Sequence, residues 1–499
     1  MRRTFLYLPF VLIAASASES ATAQDARLPV DTAVVTEHEV TILGTRVPYR
    51  AIVGTQPVFG DDGEPIASLL YTLYERTDVE DRSNRPLVIS FNGGPGSGSL
   101  WMHVGYTGPK QLIIDDEGYP IQPFGVRDNP NSILDVADIV FVNPVNVGLS
   151  RIVGDAPRET FFGVNEDIAY LADWIGVFVT RHDRWTSPKF LIGESYGTTR
   201  VSGLAGVLQG RQWMYLNGVI LVSPTGLGVR RQGPVGDALA LPNFAATAWY
   251  HGQLEAPLQS RDLDELLPEV ESWTLDTFLP ALAKGGSLPE SERRAIAAQA
   301  ARYAGVSAEW FLDHNLRPSV NEFRKELLRD EGMTVGRLDA RYRGIDRENA
   351  GEGYDYDPAL SAWNHAFAPA INEYLRNDLG FESDLQYYLF GPVRPWGQGG
   401  TYDTDNTGEQ LRQAMHENPY LHVMIQAGYY DGGTDYFSAK YTMWNLDPRG
   451  VLQDRMQFRT YRSGHMMYLR AEDIVTSNQH IRDFIEEAMQ ATREGPARR

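Results

Sequence analysis

Lys189-Phe190-Leu191-Ile192-Gly193-Glu194-Ser195-Tyr196-Gly197-Thr198-Thr199-Arg200 decides how this chain is read. Phe190-Leu191-Ile192 is a short apolar run of the kind a buried strand carries, and residues 201–209 are compatible with a helix. Between them stands Gly193-Glu194-Ser195-Tyr196-Gly197, a G-x-S-x-G. Alone, that pattern recurs by chance. A strand before it and a helix after it make it a nucleophile elbow, a sharp turn that pushes a serine hydroxyl out beyond the strand ends. Glycine on both sides lets the backbone turn tightly and keeps Cβ atoms off the neighbouring strands.

The same rhythm extends both ways. Pro86-Leu87-Val88-Ile89-Ser90-Phe91, Ala137-Asp138-Ile139-Val140-Phe141-Val142 and Asn217-Gly218-Val219-Ile220-Leu221-Val222-Ser223 are apolar runs, hence central strands. Val164, Ile168, Leu171, Ile175 and Phe178 recur at steps of four and three, which predicts a helix before the elbow strand. Strands alternating with helices over 86–225 specify a mostly parallel sheet with right-handed crossovers. Upstream, Val35, His38-Glu39-Val40-Thr41-Ile42, Val47-Pro48-Tyr49-Arg50 and Leu69-Leu70-Tyr71-Thr72-Leu73 read as antiparallel strands, with turns at Gly44 and Asp61-Asp62-Gly63.

The alternation stops near residue 230 and resumes after 410. Ser287-Leu288-Pro289-Glu290 predicts a capping box opening a helix over 290–304. Residues 321–329 and 358–379 read as further helices, and 343–357 as a polar, glycine-containing, mobile connection. Leu421-His422-Val423-Met424-Ile425-Gln426-Ala427 and Arg455-Met456-Gln457-Phe458-Arg459-Thr460-Tyr461 are strands again. Ile481, Phe484, Ile485, Ala488 and Met489 then share one face of a last helix. The expected organisation is an α/β core from residues 24–229 and 411–499, interrupted by an inserted helical cap over 230–410.

The 499 residues carry 45 basic and 65 acidic side chains, a net charge of −20, which argues against nucleic acid as a partner. With 42% hydrophobic and 11% aromatic residues there is material for a large core. Met1-Arg2-Arg3, an apolar run over 5–15 and Ala21-Thr22-Ala23-Gln24 have the layout of a signal peptide over 1–23, cleaved after Ala23. The run is too short to span a bilayer, and no later stretch is long and apolar enough, so the mature chain is expected to be exported, periplasmic or extracellular, without a membrane span. Arg2-Arg3 fits a twin-arginine or an ordinary secretory signal. The absence of cysteine removes disulfides and thiolate chemistry.

A serine hydroxyl attacks only when a base takes its proton, and the base is best a histidine oriented by a carboxylate. In the order Ser, acid, His, each in a loop after a strand, the candidates are Ser195, Asp431 and His465. Asp435 is the rival acid, farther from the strand end. Of ten histidines, His465 and His480 lie beyond a plausible acid, and His480 sits in the amphipathic last helix, where a surface role is expected. The glycine-rich turn Asn92-Gly93-Gly94-Pro95-Gly96-Ser97-Gly98-Ser99 has no G-K-[S/T], which disfavours a phosphate loop and suits the second amide of an oxyanion hole. No H-E-x-x-H or tight His/carboxylate cluster points to a metal, and none is expected.

Asn92-Gly93-Gly94-Pro95-Gly96 together with Gly193-Glu194-Ser195-Tyr196-Gly197, the Gly428-x-x-Asp431 turn and Gly464-His465 resemble the serine carboxypeptidase family over roughly 35–225 and 415–470. The resemblance implies an α/β-hydrolase fold with a helical cap, no cofactor, and release of the C-terminal residue from peptides through an acyl-enzyme. An esterase or acyltransferase on the same triad is the alternative. By position it makes Ser195 the nucleophile, His465 the base and Asp431 its orienter. The amides of Gly94 and Tyr196 become the oxyanion hole, and Asn92, Gly93 and Glu194 the holders of the substrate's terminal carboxylate. Glu194 then has to carry a proton beside that carboxylate, which implies activity at acidic pH. Two features depart from the family. Tyr106 stands two residues before Gly108-Pro109, where familiar members place a second glutamate, so a phenol is expected to donate instead. The lack of cysteines suits a bacterial-type exported relative.

Overall fold

The computed structural model describes residues 28–397 and 405–495 of the chain. The expected signal segment, 1–23, lies outside them. The main sheet contains β1 (Thr32–Ile42), β2 (Thr45–Phe59), β3 (Pro65–Arg76), β4 (Leu87–Phe91), β5 (Asp138–Val142), β6 (Lys189–Glu194), β7 (Gly218–Val222), β8 (His422–Gly428) and β9 (Met456–Tyr461). Their spatial order is β1-β2-β3-β5-β4-β6-β7-β8-β9, with Arg151–Ile152 pairing to β3 off this path. The first three strands and the β3–β5 pair are antiparallel; every pair from β5–β4 to β8–β9 is parallel. Parallel neighbours need crossovers, and these carry α1 (Val164–Arg181) and α2 (Tyr196–Arg211), as the spacing of apolar residues predicts.

The two faces of the sheet are read directly from alternation along each strand. On one face Phe190, Ile192, Ile220, Val222 and Met424 join the core formed with Ile481, Phe484 and Ile485 of α3 (Ala471–Glu494). On the other, Leu191, Val219, Leu221, Val423 and Ile425 pack with Trp174 and Phe178 of α1 and Leu204 and Leu208 of α2. Covered on both faces, these strands need continuous apolar sequence. The mostly parallel sheet flanked by helices is the α/β-hydrolase fold expected from sequence.

Between β7 and β8 the described chain is mainly helical, with helices at Leu241–Tyr250, Leu263–Trp273, Glu290–Ala304 and Pro358–Glu373. This insert has its own apolar core, which continues onto Ala427, Tyr430, Tyr436 and Phe437 at the end of β8 and beyond it. The helix over 290–304 forms, but the capping box expected at Ser287–Glu290 does not. Pro289 is the N-cap residue, and Ser287 turns back in the preceding 3-10 turn to donate to the Lys284 carbonyl at 2.7 Å. A capping box forms instead at Ser319 and Glu322. The 343–357 connection is pinned rather than loose: Lys325 Nζ bonds Asp346 Oδ2 at 2.6 Å and the Glu348 carbonyl at 2.7 Å, and Arg347 pairs with Asp355 at 3.0 Å. No helix among the described residues is long and apolar enough to cross a membrane.

Candidate active site

β6 delivers the elbow. Ser195 has φ +58° and ψ −126°, a conformation that non-glycine residues avoid, and its N–H donates to the Val222 carbonyl of β7 at 2.9 Å. The turn is possible because Gly193 has no side chain: a Cβ there would lie 2.2 Å from the Gly197 carbonyl oxygen. The glycine-rich turn after β4 touches the elbow for the same reason. A Cβ on Gly93 would sit 2.4 Å from the Tyr196 amide nitrogen. That contact brings Gly94 and its φ of +105° alongside Tyr196.

Arg200, one turn into α2, fixes this contact from below. Its Nη1 donates to the Asn92 carbonyl at 2.6 Å and its Nε to Asp167 Oδ2 of α1 at 2.7 Å. Both side chains are buried, at 0% and 1% exposure, so neither charge has water to fall back on. Burial pushes the Asp167 carboxyl up despite the adjacent guanidinium. Arg200→Met is therefore expected to destabilise the protein by about 3–5 kcal/mol, the usual cost of orphaning a buried charge. Urea unfolding monitored by tryptophan fluorescence measures it.

Asp431 follows β8 and His465 follows β9. His465 Nδ1 donates to Asp431 Oδ2 at 2.7 Å. The same carboxylate accepts the Gly433 N–H at 2.7 Å and the Thr434 N–H at 3.1 Å on Oδ1, and the Thr434 hydroxyl at 2.8 Å on Oδ2. Burial by itself would raise Asp431, but the charge of His465 and the bonds from His465 and Thr434 outweigh it and hold the carboxyl below its usual range. For His465, burial favours the neutral ring; the charge and hydrogen bond of Asp431 reverse that, and the imidazole is raised above its ordinary value. Ser195, His465, Thr434, Glu194 and Gly94 line one cavity of about 220 Å³. Asp435 is committed elsewhere: it caps the helix Tyr436–Leu446 and accepts the Ser438 N–H at 2.7 Å. His480 is half-buried, not simply exposed, and its Nδ1 lies 2.9 Å from the Tyr461 hydroxyl.

Glu194 is buried, and burial pushes its carboxyl up to about 7, against the lowering effects of His465 and of a hydrogen bond from Tyr468. The Tyr468 hydroxyl donates to Glu194 Oε2. Tyr106, expected to supply that phenol, does not. Its hydroxyl donates to Gln426 Oε1 at 2.8 Å, and its ring stacks on Tyr468 with centroids 4.5 Å apart. Tyr106 thus orients the donor rather than being it. Nothing in the run after His465 marks Tyr468 for this task; its part depends on a loop brought back over β6. Asn92 is fully buried, with Oδ1 accepting the Met102 N–H at 3.1 Å, while its buried Nδ2 has no hydrogen-bond partner among the described residues. Away from this site the insert gathers His314, Glu322 and Glu352, whose nearest ligand atoms lie within 4.8 Å of one another, a grouping the sequence pattern did not show.

The loop 336–342, inside the insert, reaches both post-strand loops. The carbonyl of Arg337 accepts the Gly432 N–H at 2.9 Å, that of Leu338 accepts the His465 N–H at 2.6 Å, and the Ala340 N–H donates to Tyr430 at 3.0 Å. The buried pair Asp339–Arg341 anchors it, with Arg341 also donating to Ser463 Oγ at 3.1 Å.

Residues 61–224 match the model of a family described as serine carboxypeptidase, a stretch holding the glycine-rich turn and the elbow but ending before Asp431 and His465. The chain is 25% identical over 192 residues to a serine carboxypeptidase S10 family member 1 of Dictyostelium discoideum, covering 38% of this chain and 42% of that protein. It is 31% identical over 138 residues to a carboxypeptidase Y homolog A of Pyrenophora tritici-repentis, covering 27% and 23%. The matched region thus spans less than half the length of these relatives. Among solved structures, Kex1Δp, a prohormone-processing carboxypeptidase from Saccharomyces cerevisiae, superposes with a TM-score of 0.54 at 14% identity, over 88% of this chain and 92% of the other, and shares the fold. Over residues 61–224, which carry both glycine-bounded motifs, the chain is similar to the serine carboxypeptidase family.

Proposed function

We propose that this protein is an exported serine-type carboxypeptidase that removes the C-terminal residue of peptides through an acyl-enzyme. The observation that carries the reading is His465, hydrogen-bonded to the buried Asp431, lining one cavity with Ser195 and the buried Glu194. The Ser195 hydroxyl attacks the last peptide carbonyl while His465 Nε2 takes its proton. The N–H groups of Gly94 and Tyr196 receive the developing oxyanion. His465 then returns the proton to the departing amine, and water, deprotonated by the same nitrogen, releases the acyl group. Asp431 keeps Nδ1 protonated, so that Nε2 is the basic nitrogen. A larger cavity of about 670 Å³, lined by Gly94, Tyr196, Phe390, Val393 and Trp396, takes the side chain on the acyl side. The insert over 230–410 is the cap that walls these cavities, and export, periplasmic or extracellular in a bacterial-type relative, follows from the segment over 1–23.

The substrate's terminal carboxylate is received by Asn92, Gly93 and Glu194. Glu194 donates to it only when protonated, and burial keeps that proton up to about pH 7. The groups facing Glu194 are the Tyr468 hydroxyl, the Asn92 amide and the charges of His465 and Asp431. KM for a free-acid dipeptide is therefore expected to rise as pH passes 7, where Glu194 becomes a like charge. Glu194→Gln, a donor at every pH, flattens that rise. N-blocked dipeptides with acid and amide ends, assayed from mildly acidic to alkaline pH, measure both effects. Equal turnover of acid and amide ends would sink the carboxypeptidase reading and leave an esterase or acyltransferase on the same triad as the alternative.

A further inference from the structure

The second glutamate that familiar relatives place near the glycine-rich turn is Tyr106 here, and its phenol is spent on Gln426. In those relatives the second glutamate partners the elbow glutamate; here Tyr468 partners Glu194, and the terminal carboxylate is left to Asn92, Gly93 and Glu194. Above pH 7 the site also holds two negative charges, Glu194 and Asp431, inside a chain of net charge −20. An anionic substrate end entering such a cavity needs a compensating cation.

Among the residues lining the 220 Å³ cavity, the lysines and arginines are represented by Arg337 alone. Its backbone is held from both sides: its N–H and that of Leu338 donate to the two oxygens of Asp357, each at 3.1 Å, and its carbonyl accepts the Gly432 N–H. Its side chain is exposed, and among the described residues no carboxylate pairs with the guanidinium. The Nη2 atom reaches across Gly433, lying 3.7 Å from where a Cβ on that glycine would be. Gly433 leaves the room that a side chain would fill. An unpaired guanidinium on a fixed backbone, next to a catalytic loop, is prearranged for a planar anion, because its fork matches a carboxylate with two parallel hydrogen bonds.

Resting on the carboxypeptidase reading above, we propose that Arg337 is a substrate-binding residue that pairs with the free α-carboxylate of the residue being released. The insert thus supplies a fixed positive charge beside the groups that hold the carboxylate by hydrogen bonds. Asn92, Gly93 and Glu194 hold the carboxylate by hydrogen bonds, and Arg337 holds it by charge whether or not Glu194 keeps its proton.

The test compares wild type, Arg337→Ala, Arg337→Gln and Arg337→Lys on N-blocked dipeptides that end in alanine as free acid, alanine as amide, and aspartate as free acid. Melting temperatures within a few degrees of wild type establish that the variants fold. The expected result is a fall of about 10- to 100-fold in the acid-over-amide ratio of kcat/KM for Arg337→Ala and Arg337→Gln, carried mainly by KM, as removal of a bond made equally in ground and transition states requires. Arg337→Lys restores part of the ratio, keeping the charge but not the fork. An unchanged ratio in a wild-type enzyme that prefers acids overturns the inference alone. So does a loss confined to the substrate ending in aspartate, which would assign Arg337 to the leaving side chain. A wild-type enzyme that cleaves neither the acid nor the amide overturns the peptidase reading and this inference with it.

Discussion

Ser195→Ala is expected to lower kcat by about a millionfold while leaving the fold intact. The size follows from the division of labour proposed above, in which Ser195 attacks, His465 takes its proton and the amides of Gly94 and Tyr196 receive the oxyanion. Without the hydroxyl there is no covalent intermediate, and the base at His465 has no proton to take. The residual activity comes from the amides of Gly94 and Tyr196 acting on water, a contribution that on its own leaves a few thousandfold over the uncatalysed reaction. Removing Oγ costs little in stability, since Ser195 is part-exposed and its backbone N–H bond to Val222 survives. Burst kinetics on an activated ester and labelling by a fluorophosphonate should both vanish. Labelling that persists in the variant would show that a different nucleophile does the work.

Asp431→Asn is the second large loss, about ten-thousandfold in kcat. The asparagine is nearly the same size, and its carbonyl oxygen can still accept the N–H groups of Gly433 and Thr434 that Asp431 now accepts. Its NH2 group then faces His465 Nδ1 as a donor. The imidazole answers by moving its proton to Nε2, the atom that has to be bare to receive one from Ser195. The wrong tautomer, not a hole, is the lesion, so the melting temperature should stay close to wild type while turnover collapses. The imidazole should also titrate lower, because the charge of Asp431 is what raises it. Nitrogen-15 chemical shifts of labelled histidine report the tautomer and the titration together.

How much of this was legible beforehand depended on whether the information is local. Buried parallel strands announce themselves because both faces are covered, so residues 87–89, 139–142 and 219–222 are apolar throughout. The elbow is legible because its glycines answer a local steric demand, and Asp431 and His465 because each follows an apolar strand. Helix placement in the insert was legible, including the start at Glu290, but the cap was not: proline can hold the N-cap conformation without a capping side chain, so Ser287 was free to turn away. Tyr468 and Arg337 could not be found from spacing at all. Tyr468 reaches Glu194, and Arg337 the cavity, from segments positioned by contacts far along the chain, Tyr468 by stacking on Tyr106 and Arg337 through Asp357 and Gly432. The substitution of tyrosine at 106 was visible, but whether its phenol faced Glu194 or Gln426 was a question of tertiary geometry.

The two carbonyls of residues 337 and 338, bonded to the amides of Gly432 and His465, also bear on how such proteins could be recombined. A chimera that trades the helical lid for one from a cousin must import a ribbon whose peptide groups land in register beneath the imidazole. Otherwise the histidine loses a rung of its scaffold even though every reactive side chain remains. The helical insert and the loops after β8 and β9 are therefore a joint inheritance, and grafts should be cut outside residues 336–342 and their anchor at Asp357.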